Sequence, residues 1–79
     1  MKIRKDLSLG ANLRKYRNAS KLTQEQVCAK LQILGCDVSR GAYAQMETGI
    51  ISIPVSVLLA LSEIFEVEVG AFFEGLSIH

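Results

Sequence analysis

The chain has few of the residues that build metal sites, disulfide frameworks or catalytic centres. It contains two cysteines, at positions 28 and 36, and one histidine, His79. Two cysteines do not make a disulfide framework, and without further cysteine or histidine ligands they do not make a zinc site. The sequence also has no glycine-rich phosphate loop and no nucleophile with a base near it in sequence. We therefore expect no cofactor, no metal, no small-molecule substrate and no enzyme activity.

Long apolar runs are missing as well. The longest uncharged stretch, residues 48–62, contains the single proline, Pro54, and is shorter than the roughly 18 residues of a membrane span. Residues 1–8 are charged and have no apolar run after them, so no signal peptide is expected. With 49% hydrophobic and 22% charged residues, the chain is too apolar to be disordered. These features predict one cytoplasmic domain over residues 1–79, with a short basic arm at 1–7.

A helix with a complete start signal is predicted at about residues 24–32. Thr23 is a good N-cap, and Gln26 lies three residues later as its capping-box partner. Because both partners of the box are present, the start of this helix is well defined by local chemistry.

A second helix is predicted at residues 40–48. Gly35 and its neighbours interrupt the first helix, and Ser39 then offers another N-cap. Gly49 follows as the C′ residue, where glycine often takes a left-handed conformation. The two helices therefore form a tandem joined by a link.

Apolar side chains at helical spacing predict the remaining elements. They place a first helix at about residues 8–19 and a closing helix at about 55–65. A last short helix at 69–73 has weaker signals. Residues 50–57 are rich in β-branched side chains, but Pro54 interrupts them, so no strand is expected. The expected fold is all-α, with five helices and no sheet.

Together these residues resemble the Cro and lambda-repressor-like helix-turn-helix family of phage and bacterial transcriptional regulators. The resemblance covers residues 9–75 and implies a compact five-helix DNA-binding domain. It also implies sequence-specific binding of double-stranded DNA by a transcriptional regulator, most simply a repressor, whose second motif helix enters the major groove. The residues that carry it are Arg17, Leu22, Thr23, Gln24, Val27, Cys28, Leu31, Val38, Ser39, Arg40, Tyr43, Met46, Glu47 and Gly49.

The family pattern also implies which residues meet DNA. Arg can donate two bonds to guanine and Gln can pair with adenine, whereas glycine and alanine cannot hydrogen-bond a base through a side chain. Arg40 could instead be a solvated charge and Gln45 a surface amide, without a role in binding. The base-facing positions are Arg40, Gly41, Ala44 and Gln45, with Ser39 near the phosphates and Gln24 as a phosphate ligand at a helix N-terminus.

Two further contacts follow from the resemblance. Arg17 and Glu47 occupy the positions where family members form an ion pair beneath the loop after the recognition helix. A homodimer on a palindromic operator is also expected, because one short helix contacts only a few base pairs. Candidate dimer residues are Phe73, Leu76 and Ile78, together with Ile50, Ile51 and Ile53, although the isoleucines could instead complete the monomer core.

Some features favour a different function on the same scaffold. The net charge is only +1, although the first 30 residues are basic. The link at residues 32–38 is longer than the common tight turn, which predicts an altered tilt of the recognition helix rather than a different function. Residues 50–53 are mostly isoleucine where many relatives carry Lys or Arg, and Gly41 and Ala44 are weak positions for reading bases. The alternative is therefore a protein-interaction module, antitoxin-like or anti-repressor, with weak or no DNA binding.

Overall fold

The computed structural model describes residues 9–76, and every regular element among them is helical. Four α-helices are followed by one short 3-10 helix. Residue 8 and the basic arm lie outside the described residues, as does Ile78. The elements are α1 (Leu9–Ala19), α2 (Gln24–Ile33), α3 (Arg40–Thr48), α4 (Val55–Phe65) and the 3-10 helix (Val69–Phe73).

The capping residues account for where the middle helices begin and end. Thr23 Oγ1 accepts a hydrogen bond from the Gln26 backbone N–H at 3.1 Å, and Gln26 Oε1 accepts one from the Thr23 N–H at 2.8 Å. Ser39 Oγ caps α3 by accepting from the Ala42 N–H at 3.1 Å. Gly49 has a φ of 81°, the left-handed conformation that lets the chain leave α3. Thus α2 and α3 begin at the predicted residues, and α2 extends one residue further.

The last of the five expected helices has the predicted bounds but is a short 3-10 helix. The segment Val69–Phe73 is a 3-10 helix, in which the Ala71 N–H bonds to the Glu68 carbonyl three residues back at 2.9 Å. Gly70 has low helix propensity and the Glu68 side chain supplies no cap, so nothing local favours a longer α-helix. The described fold therefore has four α-helices.

The 3-10 helix nevertheless completes the core. Phe72 is fully buried and makes edge-to-face contacts with Tyr16 and Phe65, at ring-centroid distances of 5.8 and 6.2 Å. Asn12 on α1 donates to the carbonyls of Phe72 and Glu74 at 2.7 and 2.9 Å. The rest of the buried core comes from all four α-helices: Leu13, Val27, Leu31, Tyr43, Met46, Val57, Leu58, Ala60, Leu61 and Phe65.

A glycine sets the distance between α1 and α3. Gly10 is buried, and a Cβ atom there would overlap the backbone carbonyl oxygens of Met46 and Glu47. The backbones of the two helices can therefore approach closely only because position 10 has no side chain. This contact brings the start of α1 against the end of α3. None of the described helices is both long and apolar enough to span a lipid bilayer.

Candidate nucleic-acid interface

The helix α3 has a buried face and an exposed face. Tyr43, Met46 and Glu47 are buried against the other helices. The residues expected to face DNA lie on the other side: Arg40, Gly41 and Gln45 are exposed, and Ala44 is half-buried. The structure therefore brings the four predicted base-facing positions together on one outward surface.

Ser39 lies at the amino end of this surface and is exposed. Its side-chain oxygen accepts the capping bond from Ala42, so the hydroxyl hydrogen is the group that remains for a phosphate oxygen. The cap and the predicted phosphate contact are thus compatible.

Gln24, the other predicted phosphate ligand, is half-buried at the start of α2. Its Nε2 donates a hydrogen bond to Glu47 Oε1 at 3.1 Å. One amide hydrogen is therefore directed at the carboxylate, and the second is left for an external acceptor. Sequence patterns do not predict this bond, because 23 residues separate its partners.

Arg17 and Glu47 form a two-point ion pair between α1 and α3. Arg17 Nε lies 2.7 Å from Glu47 Oε2, and Arg17 Nη2 lies 3.2 Å from Oε1. The third nitrogen, Nη1, donates to the Leu22 carbonyl at 3.0 Å, so the same guanidinium also holds the turn before α2. The side chain of Glu47 is fully buried, whereas that of Arg17 retains 14% exposure.

Burial and hydrogen bonding have opposite effects on this carboxylate. Burial alone would raise the pKa of Glu47, but the hydrogen bonds led by that from Arg17 outweigh it and hold the pKa below its usual range. The bond to Glu47 also raises the pKa of Arg17. Both groups are therefore charged at neutral pH.

Two neighbours complete the surroundings of Glu47. Arg14 Nε lies 3.6 Å from Oε1, although the Arg14 side chain is half exposed. The Tyr43 hydroxyl is buried and has no hydrogen-bond partner of standard geometry. Its burial is the main cause that raises the pKa of Tyr43, and the nearby Glu47 is the second. Glu47 thus gathers groups from α1, α2 and α3 beneath the exposed surface of α3.

Helix α2 is followed by a link and then by α3, whose outer face is exposed. This is the arrangement of a helix-turn-helix motif. A family model described as a helix-turn-helix domain matches residues 8–71. The chain belongs to the helix-turn-helix family. Searches of curated proteins and of solved structures each found no match.

Membership of the helix-turn-helix family supports DNA as the partner. In this helix-turn-helix protein, α2 and α3 are consecutive helices joined by a link, and Arg40 and Gln45 lie on the exposed face of α3. The link between the helices turns at Gly35, with a φ of 88°, and the Cys36 N–H bonds back to the Leu31 carbonyl at 2.8 Å. The longer link is thus closed by regular hydrogen bonds.

The cysteines and the predicted dimer residues have mixed environments. Cys28 and Cys36 are half-buried and pack against the core, and burial raises the pKa of the Cys28 thiol. Phe73 is 46% exposed and Leu76 is half-buried. In the loop after α3, Ile50 and Ile51 are exposed, whereas Ile53 packs against the core.

Proposed function

We propose that the protein is a Cro and lambda-repressor-like regulator that binds a palindromic operator in double-stranded DNA as a homodimer and represses transcription in the cytoplasm. The observation that carries the proposal is the exposed face of α3. Arg40 and Gln45 project from it, and neither side chain is hydrogen-bonded to another described residue. Both are therefore available to base edges in the major groove, which admits an α-helix.

The other contacts position this helix on the duplex. The exposed hydroxyl of Ser39 and the second amide hydrogen of Gln24 can each donate to a phosphate oxygen at a helix N-terminus. Gly41 and Ala44 have little or no side chain, so they allow close approach, and Ala44 can contact a thymine methyl group. Specificity then depends mainly on Arg40 and Gln45.

Selection of duplexes from a random pool by the purified protein tests this proposal. We expect enrichment of an inverted repeat, because two-fold dimers place their recognition helices in half-sites about 34 Å apart. Arg40→Ala and Gln45→Ala should each relax the preference at one base position. A lost bidentate contact costs about 1 to 3 kcal/mol of discrimination, which is about 5- to 150-fold.

Lys15→Ala is the matched control, because Lys15 is an exposed cation on α1, outside the two motif helices. It should leave the base preference unchanged. If a folded wild-type protein enriches no sequence, sequence-specific binding is refuted.

The alternative is a protein-interaction module on the same scaffold. It is favoured by the loop after α3. There Ile50 is 70% exposed, at a place where lysine or arginine side chains would contact DNA phosphates. Salt dependence separates the two functions, since each phosphate contact contributes a slope of about −0.9 to the log–log plot of affinity against salt. A DNA binder with several phosphate contacts must lose affinity steeply as the salt concentration rises. The affinity of a protein-interaction module for its partner does not require such a steep salt dependence.

A further inference from the structure

A mixed apolar and charged surface lies where the end of α2 meets the outer side of α4. Ile33, the last residue of α2, is 84% exposed, and Val55 and Leu59 on α4 are 71% and 55% exposed. Three exposed charged residues border them. We call this surface the α2–α4 patch, formed by Lys30, Ile33, Val55, Leu59, Glu63 and Glu66.

The patch is continuous. Residues 55, 59, 63 and 66 recur at intervals of four and three, so they form one stripe along α4 and its end. Glu63 and Glu66 also line a groove of about 350 Å³ together with Lys30 and Ile33. The stripe on α4 is therefore joined to the exposed end of α2 across this groove.

The charges are separated across the groove. The cation, Lys30, lies on the α2 side, and the two carboxylates, Glu63 and Glu66, lie on the α4 side. None of the three forms an ion pair with any residue that the structure describes. A two-fold axis along the groove would place α2 of one copy over α4 of the other, so that Lys30 faces Glu63 and Glu66 of its mate. The patch is thus self-complementary in charge, with Ile33 among the charges and with Val55 and Leu59 beside them along α4.

Dimer formation at the α2 side of the patch would leave the predicted phosphate contact of Gln24 open. Gln24 and Ile33 are the first and last residues of α2, which is about 15 Å long at 1.5 Å per residue. The α2 part of the patch, Lys30 and Ile33, therefore lies toward the opposite end of α2 from Gln24, one of the two predicted phosphate contacts.

We infer that the α2–α4 patch is the surface through which two copies of this chain associate, in place of the carboxyl-terminal residues around Phe73. The inference rests on the proposed homodimer and gives it a surface, but it does not depend on DNA binding. The exposed apolar side chains of the patch supply the stability of the dimer, and the crossed charges set its two-fold register.

Sedimentation equilibrium without DNA, over protein concentrations reaching tens of micromolar, tests the inference. Wild type should dimerise, and Ile33→Ser should raise the dimer dissociation constant at least about tenfold, because each dimer loses two buried isoleucine side chains. Phe73→Ser is the comparison variant for the carboxyl-terminal surface and should dimerise as wild type does. Far-ultraviolet circular dichroism of each variant verifies that it is folded.

A charge exchange tests the register. Lys30→Glu places like charges against the mate's carboxylates, and Glu63→Lys places a lysine against the mate's Lys30. Each should weaken the dimer, whereas the double variant Lys30→Glu/Glu63→Lys should restore most of the association. A structural defect in the monomer would not be repaired in this way.

A monomeric wild type overturns the inference and leaves the patch to a different protein partner. It is also overturned if Ile33→Ser dimerises normally, if Phe73→Ser alone removes the dimer, or if the double variant is weaker than both single ones. Failure to select a DNA sequence with an intact dimer would instead refute the proposed function and leave the patch as a dimer surface.

Discussion

Replacement of Glu47 by glutamine is the most informative single perturbation of this fold. The change keeps the shape of the side chain but removes the charge that pairs with Arg17 at 2.7 and 3.2 Å. Arg17, at 14% side-chain exposure, then keeps its bond to the Leu22 carbonyl and can donate to the glutamine oxygen, but it has lost its carboxylate partner. An uncompensated charge of this kind costs about 3 to 5 kcal/mol when its site is buried.

That cost is a large part of the total stability. A domain of this size has an unfolding free energy of about 4 to 12 kcal/mol, at roughly 0.05 to 0.15 kcal/mol per residue. One kcal/mol corresponds to about 4 to 8 °C in the melting temperature of such a domain. We therefore expect Glu47→Gln to melt at least about 12 °C below wild type.

Thermal and urea unfolding followed by circular dichroism measure the effect. Glu68→Gln is the matched control, because Glu68 is exposed and its side chain makes no cap hydrogen bond. A surface change of this kind should alter stability by at most about 0.5 kcal/mol. A protein concentration low enough to keep the chain monomeric removes any contribution from association.

A double-mutant cycle then separates pairing from simple loss of packing. Arg17→Met/Glu47→Leu should lose less stability than the sum of the two single variants, since the second change removes the stranded charge. If Glu47→Gln unfolds within about 1 kcal/mol of wild type, or if the two single losses are additive, the pair does not hold α1 against α3 and the reasoning is wrong.

Three other predictions concern the same helices. Gly10→Ala should destabilise the fold by about 1 to 3 kcal/mol, because the added Cβ overlaps α3. Gly41→Ala is the comparison: its Cβ meets no atom within 4 Å, so it should stabilise the fold by about 0.5 to 1 kcal/mol. Shifts of similar size and the same sign in the two melting temperatures would contradict the close packing of α1 and α3. Thr23→Ala should lower the unfolding free energy by about 1 kcal/mol in urea titrations and Thr23→Ser by much less, because the hydroxyl caps α2. Because the folded-state pKa of Glu47 is lowered, its contribution is complete above the unfolded-state pKa of about 4.3 and is lost as pH falls through the folded-state value. The stability difference between wild type and Glu47→Gln should therefore narrow in acid, and a difference that stays constant down to about pH 2 would refute this.

Local chemistry explains why so much of the helical framework could be predicted. Thr23 with Gln26, Ser39, and Gly49 define helix ends through contacts within a few residues, and the structure has each of these caps. The closing helix Val55–Phe65 has the predicted bounds, since apolar spacing marks both its length and its buried side. The 3-10 helix differed from the prediction because short segments with a glycine have weak local preferences.

The candidate site was predictable only in part. The exposed face of α3 follows from helical periodicity once Tyr43 and Met46 are assigned to the core. The bond from Gln24 to Glu47 and the approach of Arg14 to the same carboxylate could not be predicted, because they join residues from three helices. Periodicity marks the face on which a residue lies but not which residue of another helix it meets.

The helices, their caps, the apolar stripes and the exposed side chains of α3 can all be read from the order of the residues, because each depends on residues within a turn or two of one another. The packing of one helix on another, by contrast, makes Gly10 the residue that sets the spacing of α1 and α3 and brings Ile33 and Glu63 to one groove. These features depend on how the helices are packed together. Close-packed interiors fix that arrangement through the summed shapes of many side chains, which no local pattern contains.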